Sequence, residues 1–317
     1  MQSAIWRLHS RARKLTATNN VPATAIRLLP LGDSITDGGA KLRSYRYHLH
    51  QLLAERGHQV EWLGSMRGVF DKQLGRNASR GVVLRGKAHA DWPEAAQAHE
   101  GHWGWTTRQV LRGHERQPQR GAIAKWLKQL QLQQRQRQTH PPKRVSDGGG
   151  AAPDVTLIHL GTNDLTKLVL RENGPHERVQ AVARRAHTIV SMLCKANGRM
   201  HILLAVPIPY CRFRSGDDAQ RARQRRSSTE AAYARRLCAP SALHKAASGC
   251  QGPTRVACVN MTASVGCEHL VGDGVHPAAA GARRMAAAWL RALEPRLQKV
   301  EAEAKGLNDS TTSQGGG

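Results

Sequence analysis

The chain has 317 residues, 40% hydrophobic and 4% aromatic, and carries a formal charge of +25. That is ample apolar material for the core of one large domain or two small ones. No apolar stretch approaches the roughly 20 residues of a membrane span, and mainly disordered, collagen-like and coiled-coil compositions are excluded.

Residues 1–24 read as a basic extension, with Arg7, Arg11, Arg13 and Lys14 and no acid before Asp33. The apolar stretch of a secretory signal is missing. An Arg-rich, acid-free start fits either an organelle presequence or a plain basic extension of a cytoplasmic protein. Residues 25–31 (AIRLLPL) end in Gly-Asp-Ser and predict a buried parallel strand leading into a functional turn. Over 42–56, Leu42, Tyr45, Leu49, Leu52 and Leu53 fall on one helical face, with Gly57 as a stop. Residues 59–64 predict a second strand. Residues 65–99, rich in Gly and Arg and without a period, read as a long loop.

A helix is predicted from Thr106. It runs into a Gln/Arg/Lys-rich tract, and 128–150 reads as a solvated basic insertion, either irregular or in part helical. Strands are predicted over 154–160, 201–207 and 255–261. Helices are predicted over 177–197, 220–237 and 277–293, the last with Pro277 in its first turn. Residues 298–317 read as a disordered tail, which leaves 25–297 as the folded domain. Strands alternating with helices imply a parallel sheet of about five strands covered on both faces. In such sheets functional residues gather at the carboxyl ends of the strands.

The charge is uneven. Residues 1–32, 108–150 and 212–236 together hold +18 of the +25. These segments hold few aromatics, so they read as solvated faces able to associate weakly with polyanions. The six cysteines, Cys194, Cys211, Cys238, Cys250, Cys258 and Cys267, form no Cys-x-x-Cys pair. Their even number allows disulfides, but without a secretory signal they are expected as free, partly buried thiols.

Four short motifs carry chemistry: Gly32-Asp33-Ser34 after the first strand, Glu100-Gly101-His102-Trp103-Gly104-Trp105, Gly161-Thr162-Asn163-Asp164 after the third strand, and Asp273-Gly274-Val275-His276-Pro277 before the last helix. A serine hydroxyl is a poor nucleophile without an adjacent base, which His276 can supply. Asp273 can orient the imidazole and stabilise its cation. The Ser34 N–H, the Gly104 N–H and the Asn163 amide are candidate donors to a developing oxyanion. Asp33 and Asp164 are expected to bind turn N–H groups, and His102 and His159 to pack. Trp103 is a candidate sugar platform, and Trp105 a core residue.

In this order the blocks PLGDSITDGG, HEGHWGW, HLGTND and DGVHP resemble those of the SGNH (GDSL-type) hydrolases. With Ser-Tyr-Arg-Tyr at 44–47, they are most similar to carbohydrate esterase family 3, the branch with acetylxylan esterases. The resemblance implies a flavodoxin-like three-layer α/β/α sandwich and no metal or cofactor. It implies a triad of Ser34, His276 and Asp273, an oxyanion hole of Ser34, Gly104 and Asn163, and a small-molecule or polysaccharide ester as substrate. Trp103 departs from the pattern, because a small residue is usual there. The contrasting reading is an inactive relative that binds nucleic acid or another polyanion through its basic segments.

Overall fold

The structure is a computed structural model, and it describes residues 25–39, 44–70, 92–139, 153–169, 176–212 and 219–312. The expected N-terminal extension, and the part of the basic insertion beyond Thr139, lie outside the described residues.

All five predicted strands form. They are β1 (Ile26–Gly32), β2 (Val60–Trp62), β5 (Val155–His159), β6 (His201–Val206) and β7 (Val256–Asn260), all parallel. β1 lies inside the sheet, with β5, β6 and β7 following on one side. β2 pairs the first half of β1 on the other side. This is a doubly wound, flavodoxin-like order. Two short strands, β3 (Met66–Arg67) and β4 (Ala98–Gly101), bring the sheet to seven. They correct the expectation of an unbroken loop over 65–99. β4 takes its place by pairing the last residues of β1, Leu31 with Glu100 and Gly32 with Gly101. Ala-His-Glu-Gly has no apolar run to announce it.

Helices cover both faces, α2 (Tyr45–Glu55) and α9 (Ala279–Thr312) one of them, α6 (His176–Ala196), α7 (Ala219–Leu237) and the short α8 (Pro240–Ala246) the other. The period-2 alternation of the strands feeds the two cores. On β6, Ile202, Leu204 and Val206 join the α6 side, and Leu203 and Ala205 the α9 side. On α6, Val179, Val182, Ala183, Ala186, Ile189, Val190 and Leu193 are buried at helical spacing.

Three further readings are corrected. The helix expected from Thr106 is broken: α3 (Thr107–Arg112) stops at Gly113, and α4 (Ile123–Thr139) starts afresh. The head of the basic tract is therefore helical, and Trp126, Leu127 and Leu130 anchor it in the core. The last helix does not end at Leu293, and residues 298–312 are not a disordered tail; 313–317 lie outside the described residues. α9 continues past Pro295 to Thr312, because Leu297 and Val300 go on packing against the second core. Finally, the cysteines are not free. Cys194–Cys250, Cys211–Cys267 and Cys238–Cys258 are disulfides with Cα–Cα distances of 4.6, 5.7 and 5.8 Å. The fold brings together residues up to 56 apart in sequence, a proximity that spacing alone cannot reveal.

Candidate active site

Three adjacent strand ends set the site. Gly32 on β1 pairs with Gly101 on β4 and with His159 on β5. The segments leaving these ends carry Ser34, Gly104 and Asn163. Ser34 opens a single helical turn, α1 (Ser34–Asp37), whose N-cap is Asp33. The Asp33 carboxylate accepts the Ile35 N–H at 3.0 Å. Its burial raises its pKa to about 6, against the lowering effects of that hydrogen bond and of His276.

The turn is gripped from behind by Arg46, which is fully buried. Its guanidinium donates to the carbonyls of Thr36 at 2.7 Å, Asp37 at 2.9 Å and Gln97 at 2.8 Å, and to that of Gly68. Burial lowers its pKa to about 10, so it remains charged at neutral pH. The sequence reading gave Arg46 no role beyond its place in the Ser-Tyr-Arg-Tyr motif. The available signal was an arginine between two tyrosines on the apolar face of a helix.

The last motif arrives from the other end of the chain. His276 Nε2 lies 2.8 Å from Ser34 Oγ, and His276 Nδ1 lies 2.6 Å from Asp273 Oδ2. Asp273 Oδ1 also accepts the N–H groups of Val275 at 2.8 Å and His276 at 3.0 Å. Partial burial works to raise the Asp273 pKa, but the hydrogen bonds from His276 and Val275 outweigh it and hold the carboxylate below its ordinary value. Asp273 is thus an anion facing the imidazole at neutral pH. The loop is pinned by Cys211 N–H to Gly274 O at 2.7 Å and by Val271 N–H to His276 O at 2.9 Å. Gly274 has φ +66°, and a Cβ there would meet the Arg212 nitrogen at 2.7 Å, so only glycine fits.

Asn163, on α5 (Thr162–Val169), donates from Nδ2 to Trp105 O at 2.9 Å, which leaves its second amide hydrogen for another acceptor. Gly104 sits at φ +77°, a left-handed turn that favours glycine and leaves its N–H uncovered by a side chain. Trp103, expected as a sugar platform, lies beside His276. It stacks on His276 (centroids 4.8 Å, interplanar 19°) and on Phe70 (4.4 Å, 29°), and is 36% exposed.

The remaining residues have structural partners. Asp164 accepts the Thr107 N–H at 2.8 Å and its hydroxyl at 3.0 Å, and meets Arg185 at 3.1 Å. His159 accepts the Ile208 N–H at 3.3 Å, and burial lowers its pKa to about 4. His102 stacks on the rings of Trp105 and Trp126, at 4.4 and 4.6 Å, and contacts Glu100 at 2.9 Å. Among the described residues, no helix is long and apolar enough to cross a membrane.

Residues 28–289 match the family model described as GDSL-like Lipase/Acylhydrolase. No curated protein matches the sequence. Among solved structures, the chain is similar to a family 3 carbohydrate esterase of Clostridium thermocellum, at 20% identity and a TM-score of 0.53, over 87% of this chain and 99% of that one. It is similar to a carbohydrate esterase family 3 protein of Talaromyces cellulolyticus, at 19% identity and 0.53, over 86% and 99%. An acetyl esterase mutant solved with an acetate ion aligns at 19% identity and 0.54, over 87% and 99%. At these identities the likeness shows the fold.

Proposed function

The chain belongs to the GDSL-like lipase/acylhydrolase family, and from that membership we propose that it is a serine esterase that removes short acyl groups, acetyl above all, from a carbohydrate or similar hydroxylated carrier. The observation that carries this reading is the continuous hydrogen-bonded chain Ser34 Oγ, His276, Asp273. The choice of an acetylated carbohydrate leans on the titles of the structural neighbours, two of them family 3 carbohydrate esterases and one an acetyl esterase.

In this mechanism Ser34 Oγ attacks the ester carbonyl as His276 Nε2 takes its proton. Asp273 keeps the proton of the neutral ring on Nδ1, so that Nε2 faces the hydroxyl, and it stabilises the imidazolium that forms. The face of Trp103 adds an attraction for that cation. The tetrahedral oxyanion is held by the Ser34 N–H at the opening of α1, the Gly104 N–H and the free amide hydrogen of Asn163. One such donor is worth roughly 2.7–4 kcal/mol in the transition state. His276 then protonates the leaving alcohol, and water deacylates Ser34 by the same route. The indole of Trp103 beside the base also limits the room for an acyl group, which favours acetyl over long chains.

The test is turnover of p-nitrophenyl acetate beside longer-chain esters and acetylated xylo-oligosaccharides, with Ser34→Ala as the control. The expected result is preference for acetyl and loss of turnover in the variant. Turnover undiminished in Ser34→Ala would overturn the mechanism.

A further inference from the structure

A cavity of about 1050 Å³ opens between α3, the 113–122 connection, α5 and α6. None of Ser34, Asp273 and His276 lines it, so it is separate from the hydrogen-bonded chain described above. Arg108, Arg112, Arg116, Lys167, Arg178 and Arg185 line it, against the carboxylates of Asp164 and Glu115. Arg108 and Arg112 share a face of α3 at a spacing of one turn, and Arg178 and Arg185 share a face of α6 at two. Asp164 is occupied by Thr107 and Arg185, while Glu115 meets Arg108 at 3.9 Å. Among the described residues, Arg112, Arg116, Lys167 and Arg178 have no carboxylate partner. Like charges gathered around a concavity focus a positive potential and raise the local concentration of anions.

We infer that this groove docks an acidic polysaccharide, a chain bearing carboxylates on its sugars. Arginine forks match carboxylates two bonds at a time, which a point cation cannot do. The floor, with Leu168, Ala181 and Val182, suits the C–H faces of a sugar. Among the described residues no Phe, Tyr or Trp lines the groove, so these offer none of the stacking platforms that single-stranded nucleic acid uses. The groove's wall also adjoins the site by chain connection. Thr106 follows Gly104 by two residues and Asp164 follows Asn163 by one. A carrier held there lies beside the segments proposed to bind the oxyanion. The choice of polymer rests on the carbohydrate-ester reading; the existence of the anion site does not.

The experiment measures binding, not turnover. Oligogalacturonate is titrated against the full chain and against the Ser34→Ala protein at about 50 mM salt and above. The groove variant is Arg112→Gln/Lys167→Gln/Arg178→Gln. A charge-matched control removes three exposed arginines elsewhere, Arg223→Gln/Arg284→Gln/Arg291→Gln. Binding should weaken about tenfold in the groove variant with a shallower salt slope, stay near wild type in the control, and be absent for neutral xylo-oligosaccharide. Melting curves check the fold, and single Lys167→Gln and Arg178→Gln proteins carry the same comparison if the triple variant does not fold. Equal losses in the groove variant and the control, no binding by the wild type, or displacement by an oligonucleotide with the same groove dependence would each overturn the inference. Separate p-nitrophenyl acetate assays keep failure of the esterase reading distinct from failure of the groove.

Discussion

The two halves of the candidate site are held in opposite ways. The turn carrying Ser34 is rooted in the core: Asp33, Thr36, Asp37 and Arg46 are all fully buried, and one guanidinium ties four carbonyls from three segments. The loop carrying Asp273 and His276 is half-exposed. It is fixed by local backbone bonds, one glycine and the Cys211–Cys267 bridge. Burial makes the first half rigid at the cost of its dependence on global stability. Local staples let the second be altered while the fold persists. Substitutions of the residues that hold the Ser34 turn should therefore read mainly in stability, and those in the second half mainly in rate.

The sharpest break is Asp273→Asn. Loss of the carboxylate that sets the His276 tautomer should lower kcat by about 10³–10⁴-fold with little change in Tm, compared by steady-state assay and calorimetry. A large drop in Tm would erase the contrast. Arg46→Ala should behave in the reverse manner. Stranding four buried carbonyls should cost about 3–5 kcal/mol in urea unfolding, with kcat per folded molecule nearly kept.

The disulfides sharpen the comparison further. Cys194–Cys250 and Cys211–Cys267 have the same separation of 56 residues, so loop entropy assigns each about 4 kcal/mol. Of the two, the second pins the loop that carries Asp273 and His276. Replacing either pair by serine should lower stability alike, whereas kcat should fall only for Cys211→Ser/Cys267→Ser; equal kcat in the two variants would refute the staple.

The smallest effect is in pH. The raised Asp33 pKa means that the folded chain binds more protons than the unfolded one between the ordinary carboxylate value of 3.8 and about 6. This contribution is full below that window and is lost as pH rises through it. The slope is up to ~1.4 kcal/mol per pH unit. Asp33→Asn should flatten that slope in melts across the window.

Much of this was legible in the residues. The apolar runs of β1, β5 and β6 are continuous because helices cover both faces, and such runs stand out in any sequence. The Gly-Asp-Ser and Gly-Thr-Asn-Asp turns follow those runs directly, so their meeting at one edge of the sheet could be anticipated, as could that of His276 with Ser34. What stayed hidden depends on distant neighbours. β4 is a strand only because β1 offers a free edge at Leu31 and Gly32. Arg46 is buried because carbonyls of Gln97 and Gly68 come to it. Trp103 faces His276 across most of the chain length. The cysteine pairs depend on how strands and helices are laid side by side, and the tail became helix because α2 and the sheet leave an apolar strip for Leu297 and Val300.

α9 begins three residues after His276 and runs for 34 residues, roughly 50 Å. Along the way Glu294 pairs with Arg56, Glu301 with His58 and Glu303 with Arg255, which bolts the rod to the opposite pole of the sheet. It is a lever with the proposed base at one tip. A load applied at the far end of α9, from a surface tether, a fused partner or an optical-trap handle, runs along this helix toward the loop that carries the imidazole. Immobilisation through that end should therefore cost activity that attachment elsewhere spares.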